Sequence, residues 1–240
     1  MLDYAKKPII AMLHLMGSSS ADIIERMIRE TNIYYEGGID AVMVENYFGS
    51  PKDCEAGLQY LASRFPDKLY GVNILGDYER AFALAKEYGG SFVQIDSVCG
   101  HLPPKEDMIY AEKLSKSAEG RSFDILGGLR FKYQPVLSGR SLEEDVALAC
   151  ARCDAVVTTG IGTGQDSPTE KLIEFKKVLG KKPLIVGAGV TADTVEEKLK
   201  YSDGVIIGSW LKENHTAYAE VSAKYVDEFM SQVFRARKEQ

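Results

Sequence analysis

The sequence predicts a (β/α)₈ TIM barrel spanning residues 1–240 as a single domain, and three observations predict it. At 240 residues the chain has the usual length of this fold. Eight short apolar runs alternate with helix-length segments, the rhythm of a parallel sheet whose strands are joined by crossover helices. The last two runs stop on glycines, Gly187 and Gly189 after the seventh and Gly208 after the eighth. In barrels of this kind the loops after strands 7 and 8 frequently build a phosphate site, and glycine lets an anion approach backbone N–H groups.

Taken in order, the first run is Pro8–Leu13, ending at His14, and a turn at Gly17–Ser20 leads into a helix over Ala21–Tyr35. The second run, Asp40–Val44, ends at Glu45-Asn46, and Ser50-Pro51 opens a helix through Arg64, since proline suits a first turn. Leu69–Leu75 is the third strand, carrying Asn73, followed by a helix over Tyr78–Tyr88. Ser91–Ile95 ends at Asp96, and a longer loop precedes a helix ending near Ser117. The fifth strand is the least clear, because Phe123–Leu126 runs into Gly127-Gly128, which weakens a strand or marks a bulge, before Leu129–Tyr133. A helix over Leu142–Cys153 restores the rhythm. Strand six, Asp154–Thr159, ends in Gly160-Ile161-Gly162-Thr163-Gly164 with Asp166 beyond, and a helix runs from Ser167-Pro168 to Leu179. Thr194–Tyr201 separates the last two strands, and Ser222–Lys238 closes the chain. A doubly wound open sheet is the alternative, but the first turn, H-L-M-G-S-S-S, is no dinucleotide fingerprint, and the glycine run after strand six is no P-loop.

The net charge of −6 gives no global attraction for nucleic acid or anionic membranes. No apolar run approaches the roughly 20 residues of a transmembrane helix, and the start lacks a signal-peptide core, so a cytoplasmic protein is expected. Cys150 and Cys153 have CxxC spacing without a second pair, which makes them, with Cys54 and Cys99, ordinary reduced thiols.

Catalytic groups of barrels sit at the C-terminal strand ends. Alternation puts His14 on the same side as Ile10 and Met12, Glu45 with Ala41 and Met43, and Asp96 with Phe92 and Gln94. Unpaired ions under the helices would be costly, which favours the barrel mouth. His14, Glu45, Asp96 and Lys132 are therefore the candidate catalytic residues. The histidine and two carboxylates could do proton transfer or hold a divalent metal ion, though no tight ligand motif such as H-x-x-x-H is present and no metal ligand set is assigned. Lys132 reads as an anion clamp, with a Schiff-base role as the alternative. Asn46, Asn73, Thr159, Gly160 and Asp166 are the expected substrate contacts. Gly187, Gly189, Val190, Thr191, Gly208 and Ser209 are the expected phosphate site. His101 and His215 read as loop residues, and the tyrosines and phenylalanines as packing.

Several segments resemble the BtpA/SgcQ family: K-P-I-I-A-M-L-H-L at 7–15, G-I-D-A-V-M-V-E-N at 38–46, G-V-N-I-L at 71–75, D-A-V-V-T-T-G-I-G-T-G at 154–164, V-G-A-G-V-T at 186–191 and D-G-V-I-I-G-S-W-L-K at 203–212. The resemblance implies a barrel close to the ribulose-phosphate-binding barrels, with His14, Glu45, Asn46, Asn73, Thr159, Gly160 and the three glycine turns at matching positions. The fifth strand departs from the family's V-K-H-A, reading F-K-Y-Q at 131–134 and keeping Lys132. The first loop is shorter and less proline-rich, and Asp96-Ser97 stands where the family more often has asparagine. One branch implies a role in photosystem I biogenesis, another sits among sugar-metabolism proteins. The expected function is an enzyme acting on a small phosphorylated metabolite, a sugar phosphate or nucleoside-like compound, by acid/base or metal-assisted chemistry (isomerase, lyase or aldolase, or glycosidic-bond hydrolase). The alternative is a non-catalytic assembly factor for a membrane protein complex. The expected partner is a small phosphorylated molecule, not nucleic acid, and homo-oligomerisation is left open.

Overall fold

The computed structural model describes residues 1–238. Strands β1 (Ile9–Leu13), β2 (Ala41–Glu45), β3 (Leu69–Asn73), β4 (Phe92–Ile95), β5 (Asp124–Gly128), β6 (Ala155–Thr158), β7 (Leu184–Val186) and β8 (Val205–Ile207) form a closed barrel in sequence order. β8 pairs back onto β1 in parallel through Ile9↔Val205, Ile10↔Ile206 and Ala11↔Ile207, which excludes the open sheet. Each strand is followed by a helix: α1 (Ser20–Glu36), α2 (Pro51–Arg64), α3 (Tyr78–Tyr88), α4 (Pro104–Ser117), α5 (Leu142–Arg152), α6 (Thr169–Leu179), α7 (Val195–Tyr201) and α8 (Ala223–Lys238).

The strands read as unbroken apolar runs because both faces are covered. Ile9, Ala11 and Leu13 of β1 pack under the helices, while Ile10 and Met12 join Ala41, Met43, Phe92, Leu126, Val157, Ile185 and Ile206 inside the barrel. Burying each of the larger of these side chains contributes roughly 1.5–3 kcal/mol. Leu2 and Tyr4 seal the N-terminal end of this interior column, with the Leu2 N–H on Asp124. Helix starts follow local chemistry. Ser50 and Ser141 make reciprocal capping boxes with Asp53 and Glu144, and Ser19 and Asp77 cap α1 and α3.

An aspartate repeats at the N-terminal face. Asp40, just before β2, accepts the Ile9 N–H of β1 at 2.7 Å. Asp154, before β6, does the same for Ile125 of β5 at 2.7 Å, and Asp203, before β8, for Leu184 of β7 at 2.8 Å. Each also meets a cation: Arg237, Arg121 and Lys176 respectively. This satisfies strand N–H groups that have no ladder partner at the barrel rim.

Two departures from the sequence reading bear on the site. β5 runs straight through the double glycine, so Lys132 lies four residues beyond the strand end, on a loop with left-handed Arg130 (φ 47°) and Tyr133 (φ 61°). β8 is followed by two short turns, Ser209–Leu211 and Glu213–His215, and by a hairpin closed through Lys212 and Val221.

Candidate functional site

The barrel mouth holds a cavity of about 520 Å³. Its floor continues the interior column: Met12 and Ile206 lead up to His14, Glu45, Gln94 and Asp96, as strand alternation predicts. One wall is Gly187–Thr191 and Gly208–Trp210, another Phe131–Gln134 with Thr163 and Gly164, and the far side Tyr47, Leu75 and Gly76. The two glycine corners thus share one cavity with His14 and Glu45.

His14 is buried, and its Nδ1 lies 3.2 Å from the Ala217 carbonyl. A carbonyl only accepts, so Nδ1 carries the hydrogen and Nε2 is left bare. Burial, followed by the Lys212 charge, holds the imidazole down to about 3, so it is neutral at physiological pH. Gly208 makes room for it: a Cβ there would stand 2.9 Å from His14 Cε1.

Glu45 is equally buried, and its Oε1 accepts from Asn73 Nδ2 at 2.9 Å. Burial, then repulsion from Asp96, pushes its carboxyl up to about 7, against the opposing pull of Lys132 and the Asn73 hydrogen bond. Asn73 Nδ2 also donates to Asp96 Oδ1 at 3.1 Å, and Gln94 Nε2 reaches the same oxygen at 3.3 Å. Amides rather than cations therefore hold the two carboxyl groups. His14 Nε2 and Glu45 Oε2 stand 3.8 Å apart, too far for a direct hydrogen bond. With a neutral imidazole the contact is no standing ion pair; it is a bare ring nitrogen facing a carboxyl that burial and Asp96 push up toward neutral pH.

The Lys132 ammonium donates to Thr163 Oγ1 at 3.1 Å on the cavity wall, and its backbone N–H is held by Thr159 Oγ1 at 2.7 Å. At the glycine corners two N–H groups are already used, Gly187 by the Thr158 carbonyl at 2.8 Å and Thr191 by Thr194 Oγ1 at 3.0 Å. Gly189 adopts φ 69°, and a Cβ there would meet the Gln165 carbonyl at 2.1 Å, so its glycine also serves the loop after β6.

Of the residues expected at the site, His14, Glu45, Asp96, Lys132, Gly187, Gly189, Val190, Thr191, Gly208 and Ser209 line the cavity. Asn73 sits behind it as the bridge between carboxyls. Asn46, Thr159, Gly160 and Asp166 are not on its wall. Asn46 accepts the Leu75 N–H, Thr159 holds Lys132, Gly160 packs against the Asp166 carbonyl, and Asp166 pairs with Lys198 at 2.9 Å. Sequence reading missed Tyr47, Gln94 and His215. Gln94 shares strand parity with Asp96 and was open to discovery. His215, read as a loop residue, stacks on Trp210 with ring centroids 5.1 Å apart at the cavity rim. Among the described residues no group of three or more His, Cys, Asp or Glu side chains could hold a metal ion. The four cysteines are unpaired, and no helix among these residues is long and apolar enough to cross a membrane.

Residues 5–235 match the BtpA family. An uncharacterized protein of Pyrococcus furiosus is 29% identical over 235 residues, covering 89% of each chain. The photosystem I biogenesis protein BtpA of Synechocystis is 25% identical over 230 residues, covering 85% of this chain and 80% of that one. Among solved structures, thiamine phosphate pyrophosphorylase from Pyrococcus furiosus superposes with a TM-score of 0.65 at 18% identity, covering 97% of this chain and 98% of that one. Phosphoribosyl anthranilate isomerase from Thermus thermophilus gives 0.64 at 15% identity, covering 95% and 98%. At such identities the likeness is one of fold.

Proposed function

The chain belongs to the BtpA family, and from that premise we propose that it is an enzyme moving protons on a small organic phosphate bound in the barrel mouth. The observation that carries this reading is the bare His14 Nε2 facing a carboxyl raised to about 7 across 3.8 Å, in the cavity that both glycine corners line. A carboxyl raised toward neutral pH and an unprotonated imidazole, converging on one spot, suit an isomerisation or bond cleavage that takes a proton from one position and returns it at another.

The phosphate is assigned to the amides of Ala188–Val190 and Ser209–Trp210, binding energy remote from the reacting atoms. His14 takes the proton, Glu45 returns one, and the Lys132 ammonium offsets negative charge as it develops on the substrate. The cavity volume of about 520 Å³ is in the range that encloses a drug-sized molecule. Across from the glycine corners, Tyr47 and Leu75 offer an apolar ledge, so the substrate is a sugar phosphate or a similar phosphate carrying a further planar or apolar group. The names of two fold neighbours contain a phosphorylated compound, which agrees with this class. The unpaired thiols suit a reducing cytoplasm.

A thermal-shift panel of sugar and nucleoside phosphates tests the reading: members of this class should raise Tm, and Glu45→Gln should abolish turnover of the stabilising compound while keeping the shift. Turnover unchanged in Glu45→Gln removes the carboxyl from the chemistry.

A second reading, a docking factor for a protein complex, draws on the name of the Synechocystis relative and on exposed apolar side chains in the loops after β5 and β6. Tyr133 is 71% and Ile161 84% exposed. It predicts no stabilisation by any phosphate, and binding to a partner that Ile161→Asp removes.

A further inference from the structure

His14 owes its form to a hairpin that does not itself line the cavity at the contact point. The Ala217 carbonyl faces two donors, His14 Nδ1 at 3.2 Å and the Lys212 ammonium at 3.2 Å. Two donors use both lone pairs of one carbonyl oxygen. Lys212 is 1% exposed and has its second partner, Glu30 Oε2, only at 4.0 Å, so the Ala217 carbonyl is its principal anchor. The next two carbonyls of the same turn, Tyr218 and Ala219, accept from Arg26 of α1, whose Nε in turn holds Glu30 at 2.8 Å. The turn is therefore gripped from both sides, by a lysine from within the hairpin and by an arginine from α1.

We propose that Lys212, with Arg26, is a positioning residue that aims the Ala217 carbonyl at His14 Nδ1 and so locks the imidazole in the Nδ1–H tautomer, leaving Nε2 as a proton acceptor toward Glu45. The proposal rests on the reading of His14 as the base. A carbonyl free to swing away would let His14 exchange tautomers, and the Nε2–H form could only donate toward the carboxyl. The charges around the ring keep it neutral rather than choose its tautomer: Lys212, Lys132 and Arg26 all disfavour a second proton on His14, with the Glu45 carboxyl 3.8 Å across the gap as the facing acid. Burying an ammonium at this depth is expensive, and burial holds Lys212 down to about 8. An apolar residue would fill the space at less cost but could not hold the carbonyl.

The test needs no substrate. The full chain, labelled with ¹⁵N in its three histidines, is followed by long-range ¹H–¹⁵N correlation from pH 4 to 8, with His14→Gln identifying the His14 signals. The expected wild-type result is a single Nδ1–H tautomer with no titration above pH 5. Lys212→Met should give averaged tautomers, a protonation midpoint at least one pH unit (tenfold) higher, or both. If that variant does not fold, Arg26→Gln, altered at the helix end of the same clamp, should shift the His14 signals in the same direction. An Nε2–H tautomer in the wild type overturns the proposal, as do unchanged His14 signals in a folded Lys212→Met chain. A locked Nδ1–H imidazole in a protein that turns over no phosphate would instead overturn the enzymatic reading and leave the positioning intact.

Discussion

Two sets of carboxylates, one at each end of this barrel, are used in opposite ways. At the N-terminal face Asp40, Asp154 and Asp203 each accept a strand N–H and each meet an arginine or lysine, so their charge is fully compensated at a partly wetted rim. At the C-terminal face Glu45 and Asp96 share one asparagine amide, with Gln94 also on Asp96, and Glu45 looks at an uncharged imidazole. Compensated carboxylates hold strands together. A buried carboxyl left without a cation is raised toward neutrality, which costs stability and makes it fit to trade protons. The same residue type is thus structural or reactive according to its partners.

The largest expected contrast is in activity. Glu45→Gln should lower turnover by roughly 10²–10⁴-fold, while Asp203→Asn leaves it within about twofold. Steady-state rates on the stabilising phosphate check this, and equal losses in both variants would erase the distinction between the faces.

Next comes stability against pH. Glu45 is raised from the ordinary glutamate value of 4.5 to about 7, so its contribution is intact below about pH 4.5 and is lost as pH rises through 7. Denaturant unfolding should show Glu45→Gln gaining about 3 kcal/mol on the wild type between pH 4.5 and 8. His14 runs the other way: its folded value lies well below the ordinary 6.5, so its contribution is intact above 6.5 and drains away as pH falls toward 3. His14→Gln should flatten the acid limb of the same curve.

At the opposite face, Asp203→Ala frees the Leu184 N–H and the Lys176 ammonium together. It should cost about 2 kcal/mol by urea unfolding, with ligand affinity unchanged. The smallest effect belongs to the apolar ledge: Tyr47→Ala should weaken a ring-bearing phosphate by about 1 kcal/mol, read as Kd, and leave inorganic phosphate untouched.

The barrel was legible because its evidence is periodic. Runs such as Ile9–Leu13 and Val205–Ile207 are buried on both faces, and their alternation places His14, Glu45 and Asp96 above Met12, Met43 and Phe92. Loop residues carry no such rule. Asp166 is turned outward by Lys198, and Thr159 is spent on the Lys132 backbone, because loop direction is set by partners distant in sequence. Lys212 was invisible for the same reason: nothing in D-G-V-I-I-G-S-W-L-K says that its ammonium folds back under the first strand's histidine.

The central claim is that the two glycine corners grip an anion beside the His14–Glu45 pair. Backbone amide shifts of the ¹⁵N-labelled chain, titrated with inorganic phosphate and then with a sugar phosphate, test it most directly. Saturable shifts of Ala188–Val190 and Ser209–Trp210 are expected with both, reaching His14 and Glu45 only with the sugar phosphate. Shifts confined to surface lysines, with these corners silent, would contradict the account.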